Sequence, residues 1–189
     1  MFLDENEVKS IGFKSIGLNV KISADSRFYN PSKISIGNNS RIDDYCVISD
    51  NVIIGNNVHI TVNCSIAAPV ATVTLADFVG IAAGSRIFSS SDDYSGYALT
   101  NATIPKKFTN VKHAEVIIGK HVIVGAGSTI FPGVEIMEGC AIGAMSLVNK
   151  STEPWGVYIG IPARKIKERS KDLIKIEELY LNENNENKN

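Results

Sequence analysis

The 189-residue chain is poor in several things at once: one tryptophan, three cysteines, three histidines, and almost no net charge, its 19 basic and 20 acidic side chains leaving −1. A balance this close excludes the strongly basic field of a general nucleic-acid binder. The odd cysteine count does not suit a disulfide framework, and Cys46, Cys64 and Cys140 are not spaced as zinc ligands. No apolar run follows a basic start, because MFLDENEVKS is acidic and polar. The sequence therefore shows neither a secretion signal nor a membrane span, and the expected compartment is the cytoplasm.

What the chain does have is an aliphatic residue at every sixth position. The first run is Ile36, Ile42, Ile48, Ile54, Ile60 and Ile66; the second is Ile118, Val124, Ile130, Ile136, Ile142 and Val148. A step of six matches neither the helical nor the heptad period, but it is a whole number of two-residue strand repeats, the signature of a parallel β-helix. Within the hexads IGKHVI, VGAGST, IFPGVE, IMEGCA, IGAMSL and VNKSTE the second position is often glycine, and the fifth is restricted to Val122, Ser128, Val134, Cys140, Ser146 and Thr152. Both first and fifth positions are expected to point inward. Glycines are expected to supply positive φ at the corners. Cys46, Cys64 and Cys140 all occupy fifth positions, which makes them small wall residues rather than reactive thiols.

Three places break the period. Slips around FYNPSKIS and after Ile66, where a corner enlarges at Pro69, read as tolerated bulges. The long interruption lies between Ile87 and Ile118, so an inserted loop is expected over about 88–117. Its start carries Asp92, Asp93 and Tyr94 and its end carries His113. A loop that leaves and rejoins one coil brings those ends together, giving carboxylates and an imidazole at one place. His113, as an imidazole able to take a proton near neutral pH, is the candidate general base. Asp92 and Asp93 are its candidate partners or replacements, and Tyr94 and Asn63 are the candidate acceptor contacts. His59 and His121 fall at outward corner or edge positions where polar residues are expected anyway.

After the last hexad, EPWGVYIGIPARKIKER contains Gly160, Ile161, Pro162, Ala163, Arg164 and Lys165, and the stretch from Lys150 to Lys175 holds seven Lys or Arg against three acids. Trp155 is read as a packing residue. Leu173, Ile176, Leu179 and Tyr180 have helical spacing, so a terminal amphipathic helix is expected over 170–181, covering an open coil or a neighbour, with a disordered tail over 182–189. The solenoid with its loop spans 1–169.

These hexads resemble the hexapeptide-repeat acyltransferase family from about Ile16 to Lys167. The resemblance implies an all-β solenoid of left-handed coil, a hand that composition does not show. It also implies acetyl-coenzyme A as cosubstrate and a homotrimer with active clefts between subunits. The family ends its coils with a similar Gly-x-Pro-Ala-basic element beside coenzyme A. The implied cofactor residues are accordingly Gly125, Ala126, Gly143, Ala144, Lys150, Pro162, Ala163, Arg164 and Lys165. Galactoside- and maltose-type sugar O-acetyltransferases carry their catalytic histidine where this chain reads Ser91-Asp92-Asp93, so the base is either His113 from the loop's other end or an aspartate. IFSSSDDYSG with NVKHAEVIIGKHVIVGAG resembles the acyltransferases of surface-polysaccharide and nucleotide-sugar biosynthesis. The reading is acetyl transfer to a sugar hydroxyl or amine, without metal. The alternative is a noncatalytic or γ-carbonic-anhydrase-like prism, which needs shared metal-binding histidines that His59, His113 and His121, scattered over different hexads, do not resemble.

Overall fold

Three columns of short parallel strands stack into a triangular prism. The computed structural model describes residues 1–186, with side chains through residue 183. The first face is built by Ser15–Ile16, Ser35–Ile36 and, further up, Glu135–Ile136. The second runs from Lys21–Ile22 to Gly156–Gly160, and the third from Arg27–Tyr29 to Leu147–Val148. Register is strict between coils, with Ile42 over Ile60, Ile60 over Ile81, and Val124 over Ile142. Each aliphatic therefore stacks on its own kind. Ile22, Ile42, Ile60, Ile87, Ile118 and Ile130 are 0 % exposed, and the wall is apolar from bottom to top.

The fifth positions do more than fill space. On the corner between the second and third faces they form a column of donors, each bonding to a carbonyl of the next coil. Ser26 Oγ donates to Asp43 O at 2.6 Å, Cys46 Sγ to Thr61 O at 3.0 Å and Cys64 Sγ to Ala82 O at 3.3 Å. Ser85 Oγ continues to Gly125 O at 3.1 Å and Ser128 Oγ to Gly143 O at 3.0 Å. A small side chain with one donor is required there because the corner carbonyl is buried and must be paired. This explains why the column is made of serine and cysteine alone.

Glycines supply positive φ at the corners as expected, at Gly84, Gly127, Gly133 and Gly139, but those at the second hexad position have a different role. Positive φ falls at the fourth hexad position, taken by Asn39, Asn57, Asn63, His121 and Met145 as well as by Gly127. Asparagine tolerates that region better than most residues. The second-position glycines instead let coils approach: a Cβ on Gly125 would lie 2.4 Å from the Ala144 nitrogen, and one on Gly143 would lie 2.5 Å from the Ile159 side chain.

A six-residue helix, α1 (Glu5–Ser10), closes the lower end, with Asp4 as its N-cap and Val8 as its buried contact. At the other end the strands Gly156–Gly160 and Ala163–Glu168 form an antiparallel hairpin. Helix α2 (Leu173–Glu186) then folds back along the side of the prism. It is longer than the 170–181 expected, so residues 182–186 of the supposed disordered tail are helical, and 187–189 lie outside the described residues. Trp155 packs as expected, 8 % exposed and against Gly139.

Candidate active site

All three breaks in the hexad period fall on one corner, between the third face and the first. The lowest is bridged by the turn Pro31–Lys33, the next but one by the long strand Ser65–Leu75, and the fourth coil carries the inserted loop. The Pro69 irregularity, expected to be a passive bulge, is a floor for that loop. Ser89 anchors the loop's root to it, its amide donating to Ala67 O at 3.0 Å and its hydroxyl to Ala71 O at 2.7 Å. Across the root, Ala114 N donates to Ser89 O at 2.9 Å.

Above this anchor Ser90–Ser91 and Lys112–His113 pair as a two-stranded antiparallel ribbon, with Ser90 opposite His113. Ser90 Oγ lies 2.7 Å from His113 Nδ1. The ribbon opens into a cavity of about 760 Å³ whose floor is Pro69 and Val70, and whose walls include Ser90, Asp92, His113, Asn101, Lys106 and Asn110. The loop's ends thus meet as the sequence suggested, and Asp92 and His113 share one cavity. His113 is exposed toward it and Asp92 is half-buried.

Other candidates stand elsewhere. Asp93 is buried and does not line the cavity; its Oδ1 accepts from the Ser95 hydroxyl at 2.6 Å and the Ser95 amide at 2.9 Å. Those bonds, the hydroxyl's foremost, hold its carboxyl below the ordinary range, and its Oδ2 has no donor among the described residues. Tyr94 is 93 % exposed on the outer side of the loop. Asn63 sits away from the cavity on a left-handed corner, where its amide nitrogen bonds to Asp44 O at 3.0 Å. The residues missed by sequence reasoning are Ser90, Lys106 and the Pro69–Val70 floor. Only the pairing of Ser90 with His113 across 23 positions would have pointed to the serine.

The residues assigned to coenzyme A group at the upper end. Gly125 and Gly143 give their amides to Ile142 O and Tyr158 O, both at 2.8 Å, so those donors belong to the coil stack. Ala126 and Ala144 are exposed beside them. Pro162 lies at the tip of the terminal hairpin and Ala163 begins its return strand, where Arg164 pairs with Ile159. Lys165 is already engaged by Glu153 at 2.8 Å and Glu168 at 2.7 Å, which push its ammonium pKa up, Glu153 most. Arg164 and Lys150 are exposed. Their guanidinium and ammonium are the cations of the set that carry no carboxylate partner among the described residues.

The two remaining histidines are structural. His121, expected at the surface, is 8 % exposed: its Nε2 bonds to Glu177 of α2 at 2.9 Å and its ring stacks on Phe78 at 5.2 Å. His59 shares Asp43 with Arg41, at 2.8 and 2.6 Å. Burial opposes ionisation of Asp43, but these two partners outweigh it and hold its carboxyl below the usual range. Among the described residues no group of three or more His, Cys, Asp or Glu side chains is placed to hold a metal ion.

Comparison with known proteins agrees with this architecture. Residues 33–68 match the model of the bacterial transferase hexapeptide (six repeats) family. The chain is 45% identical over 182 residues, 95% of its length and 94% of the relative's, to a dTDP-4-amino-4,6-dideoxy-D-glucose acyltransferase of Escherichia coli. It also superposes on AntD, an N-acyltransferase from Bacillus cereus. A single-serine variant of AntD in complex with dTDP-4-amino-4,6-dideoxyglucose and coenzyme A gives a TM-score of 0.95 at 45% identity, covering 96% of this chain and 98% of that one. A complex of AntD with dTDP and 3-hydroxybutyryl-CoA gives 0.94 at 44% identity, over 97% and 98% of the two chains. The chain belongs to the hexapeptide-repeat transferase family, and its prism is that family's left-handed parallel β-helix.

Proposed function

We propose that this chain is an acyl-coenzyme A-dependent N-acyltransferase whose acceptor is the amino group of a dTDP-linked 4-amino-4,6-dideoxy sugar, and whose acyl group is acetyl. The observation that carries the reading is the meeting of Asp92 and the Ser90-oriented His113 in one cavity, in a chain similar over nearly its full length to acyltransferases of such sugars. The acceptor's ammonium first gives one proton to water; the free amine's lone pair then attacks the thioester carbonyl, the carbon–sulfur bond breaks, and the nitrogen's second proton passes through a base to the departing sulfur, so that coenzyme A leaves as its thiol. His113 is that base, through Nε2, while Asp92 attracts the ammonium form of the acceptor into the cavity. Metal chemistry has no part in this reading.

Coenzyme A is assigned to the upper end of the prism, where Ala126, Ala144, Pro162 and Ala163 flank the pantetheine arm and Arg164 and Lys150 are the cations offered to its phosphates. Gly125 and Gly143 contribute by keeping the coils close. The exposed outer side of the loop, with Tyr94 at 93 % and Tyr97 at 94 %, supports a homotrimer in which a second subunit covers this surface. Three free, buried thiols fit a reducing cytoplasm, and surface-polysaccharide synthesis is the pathway class that such a product would feed. No helix of the described residues is long and apolar enough to cross a membrane.

The test is coenzyme A release with dTDP-4-amino-4,6-dideoxyglucose against the corresponding 4-hydroxy sugar nucleotide, followed by treatment of the product with mild base. Turnover only with the amine, and an acyl group that survives base as an amide, is the expected result. A base-labile ester would overturn the N-acyl reading, and a monomer in light scattering at micromolar concentration would remove the shared cleft.

A further inference from the structure

The loop cavity is electrically divided. Ser90, Asp92 and His113 stand at the loop's root, next to the prism, whereas the crest contributes Lys106, Thr109 and Asn110. The crest is not loose. Leu99 N donates to Phe108 O at 2.9 Å, and the short 3-10 turn Lys106–Phe108 is closed by Thr109, whose amide and hydroxyl both bond to Lys106 O at 3.2 Å. Lys106 therefore starts from a backbone fixed over the cavity. Among the described residues no carboxylate pairs with its ammonium, unlike Lys120 and Lys165, which have Glu177 and Glu153. Its chain neighbour is placed differently: Lys107 does not line this cavity and has its ammonium over the Phe108 ring, 4.9 Å from the centroid.

A sugar nucleotide offers two features that such a cavity can sort. One end of the sugar carries the amine, which as an ammonium is drawn to Asp92; the other is joined to a diphosphate, which seeks a cation and neutral donors. We infer that Lys106 is the residue that recognises the diphosphate of the acceptor, with Asn110 and Thr109 beside it as neutral donors, and that it thereby fixes which end of the acceptor reaches His113. The inference rests on the acyltransferase reading and adds to it a determinant of selection: the enzyme takes nucleotide-linked sugars and leaves free amino sugars because the crest lysine needs a diphosphate partner.

The experiment is calorimetric binding of dTDP, without any acyl donor, to the full chain and to Lys106→Gln, Lys106→Arg and Lys107→Gln, with steady-state kinetics on the dTDP-amino sugar alongside. Loss of one charge-assisted contact is expected to weaken dTDP binding and raise KM on the order of tenfold to a hundredfold in Lys106→Gln, while kcat is retained. Lys106→Arg should recover most of the loss, and Lys107→Gln should bind as the parent does. Circular dichroism on each variant reports folding, and both lysines are exposed, so a folding defect is not anticipated. Equal affinity of Lys106→Gln and the parent overturns the assignment while the acyltransferase reading stands; so does an equal loss in both glutamine variants, which would mean a diffuse field rather than a contact. If the parent chain binds neither dTDP nor its amino sugar, the acyltransferase reading itself falls, and this assignment with it.

Discussion

Ser90 and His113 face each other across a ribbon only two residues long, with Oγ and Nδ1 2.7 Å apart, although 23 positions separate them in the chain. The contact settles which side of the imidazole is structural. With Nδ1 engaged by a hydroxyl of the same ribbon, Nε2 is the nitrogen that the proposed reaction uses. Because the ribbon is anchored through Ser89 to the enlarged corner below, the ring is carried by the rigid solenoid rather than by the loop's crest.

Removal of the proposed base should be visible in turnover and not in donor affinity. His113→Ala is expected to lower kcat by roughly two to four orders of magnitude with coenzyme A binding nearly unchanged. Ser90→Ala keeps the imidazole but frees its rotation, so a smaller fall in kcat is expected. Asp92→Asn should act mainly on KM for the amine, and Asp93→Asn should act least, since Asp93 turns toward Ser95 and not into the cavity. Near-normal turnover in His113→Ala with loss of activity in Asp92→Asn would transfer the base to the aspartate.

The donor column makes a prediction about stability that is separate from catalysis. Ser128 is 0 % exposed, donates to Gly143 O and accepts from the Ser146 amide at 3.2 Å. Ser128→Ala leaves two buried backbone groups unpaired and should cost about 1–3 kcal/mol, read as a fall in the thermal unfolding midpoint. Cys46→Ser replaces one donor by another and should change the midpoint little and turnover not at all. A folded Cys46→Ser protein with lost turnover would mean that the thiol is chemically active.

The legible part of this molecule is the part that repeats. The aliphatic six-residue step and the restricted fifth position follow from stacking alone, and each coil restates them, so Ile42, Ile60 and Ile130 identify themselves. What one coil borrows from a distant segment leaves no periodic trace. His121 has the sequence position of an outward corner, yet it is covered because Glu177 arrives from 56 residues further on. Pro69 looks like a slip in the repeat, yet it floors a cavity whose other walls lie from Ser90 to His113. The glycines at 125 and 143 were legible as corner residues, but their reason, coil-to-coil approach rather than positive φ, depends on the neighbouring coil. Asp92 and His113 could be brought together from sequence because loop closure is a local rule; Lys106 could not, since nothing in the spacing says which side of the crest faces the prism.

Helix α2 should detach in acid before the prism melts. Glu177 accepts from Lys120 at 2.7 Å and from His121 at 2.9 Å, with Arg169 and Tyr180 lining the same apolar recess between helix and prism. Burial raises the cost of its charge, but the bonds from Lys120 and His121 outweigh that and hold the carboxyl below its ordinary value of 4.5. A carboxyl whose folded pKa is depressed stabilises the docked state fully above the unfolded value, and that contribution disappears as pH falls through the lower folded value. Protonation of Glu177 replaces the carboxylate that accepts from Lys120 and His121 by a neutral acid. Amide exchange in α2 is therefore expected to accelerate relative to the stacked strands as pH falls below about 4.5, while the strands keep their protection. Glu177→Gln, which cannot ionise, should show faster exchange already at neutral pH and no further acid dependence of the helix. The same acid response in the parent and in Glu177→Gln would show that some other group holds the helix.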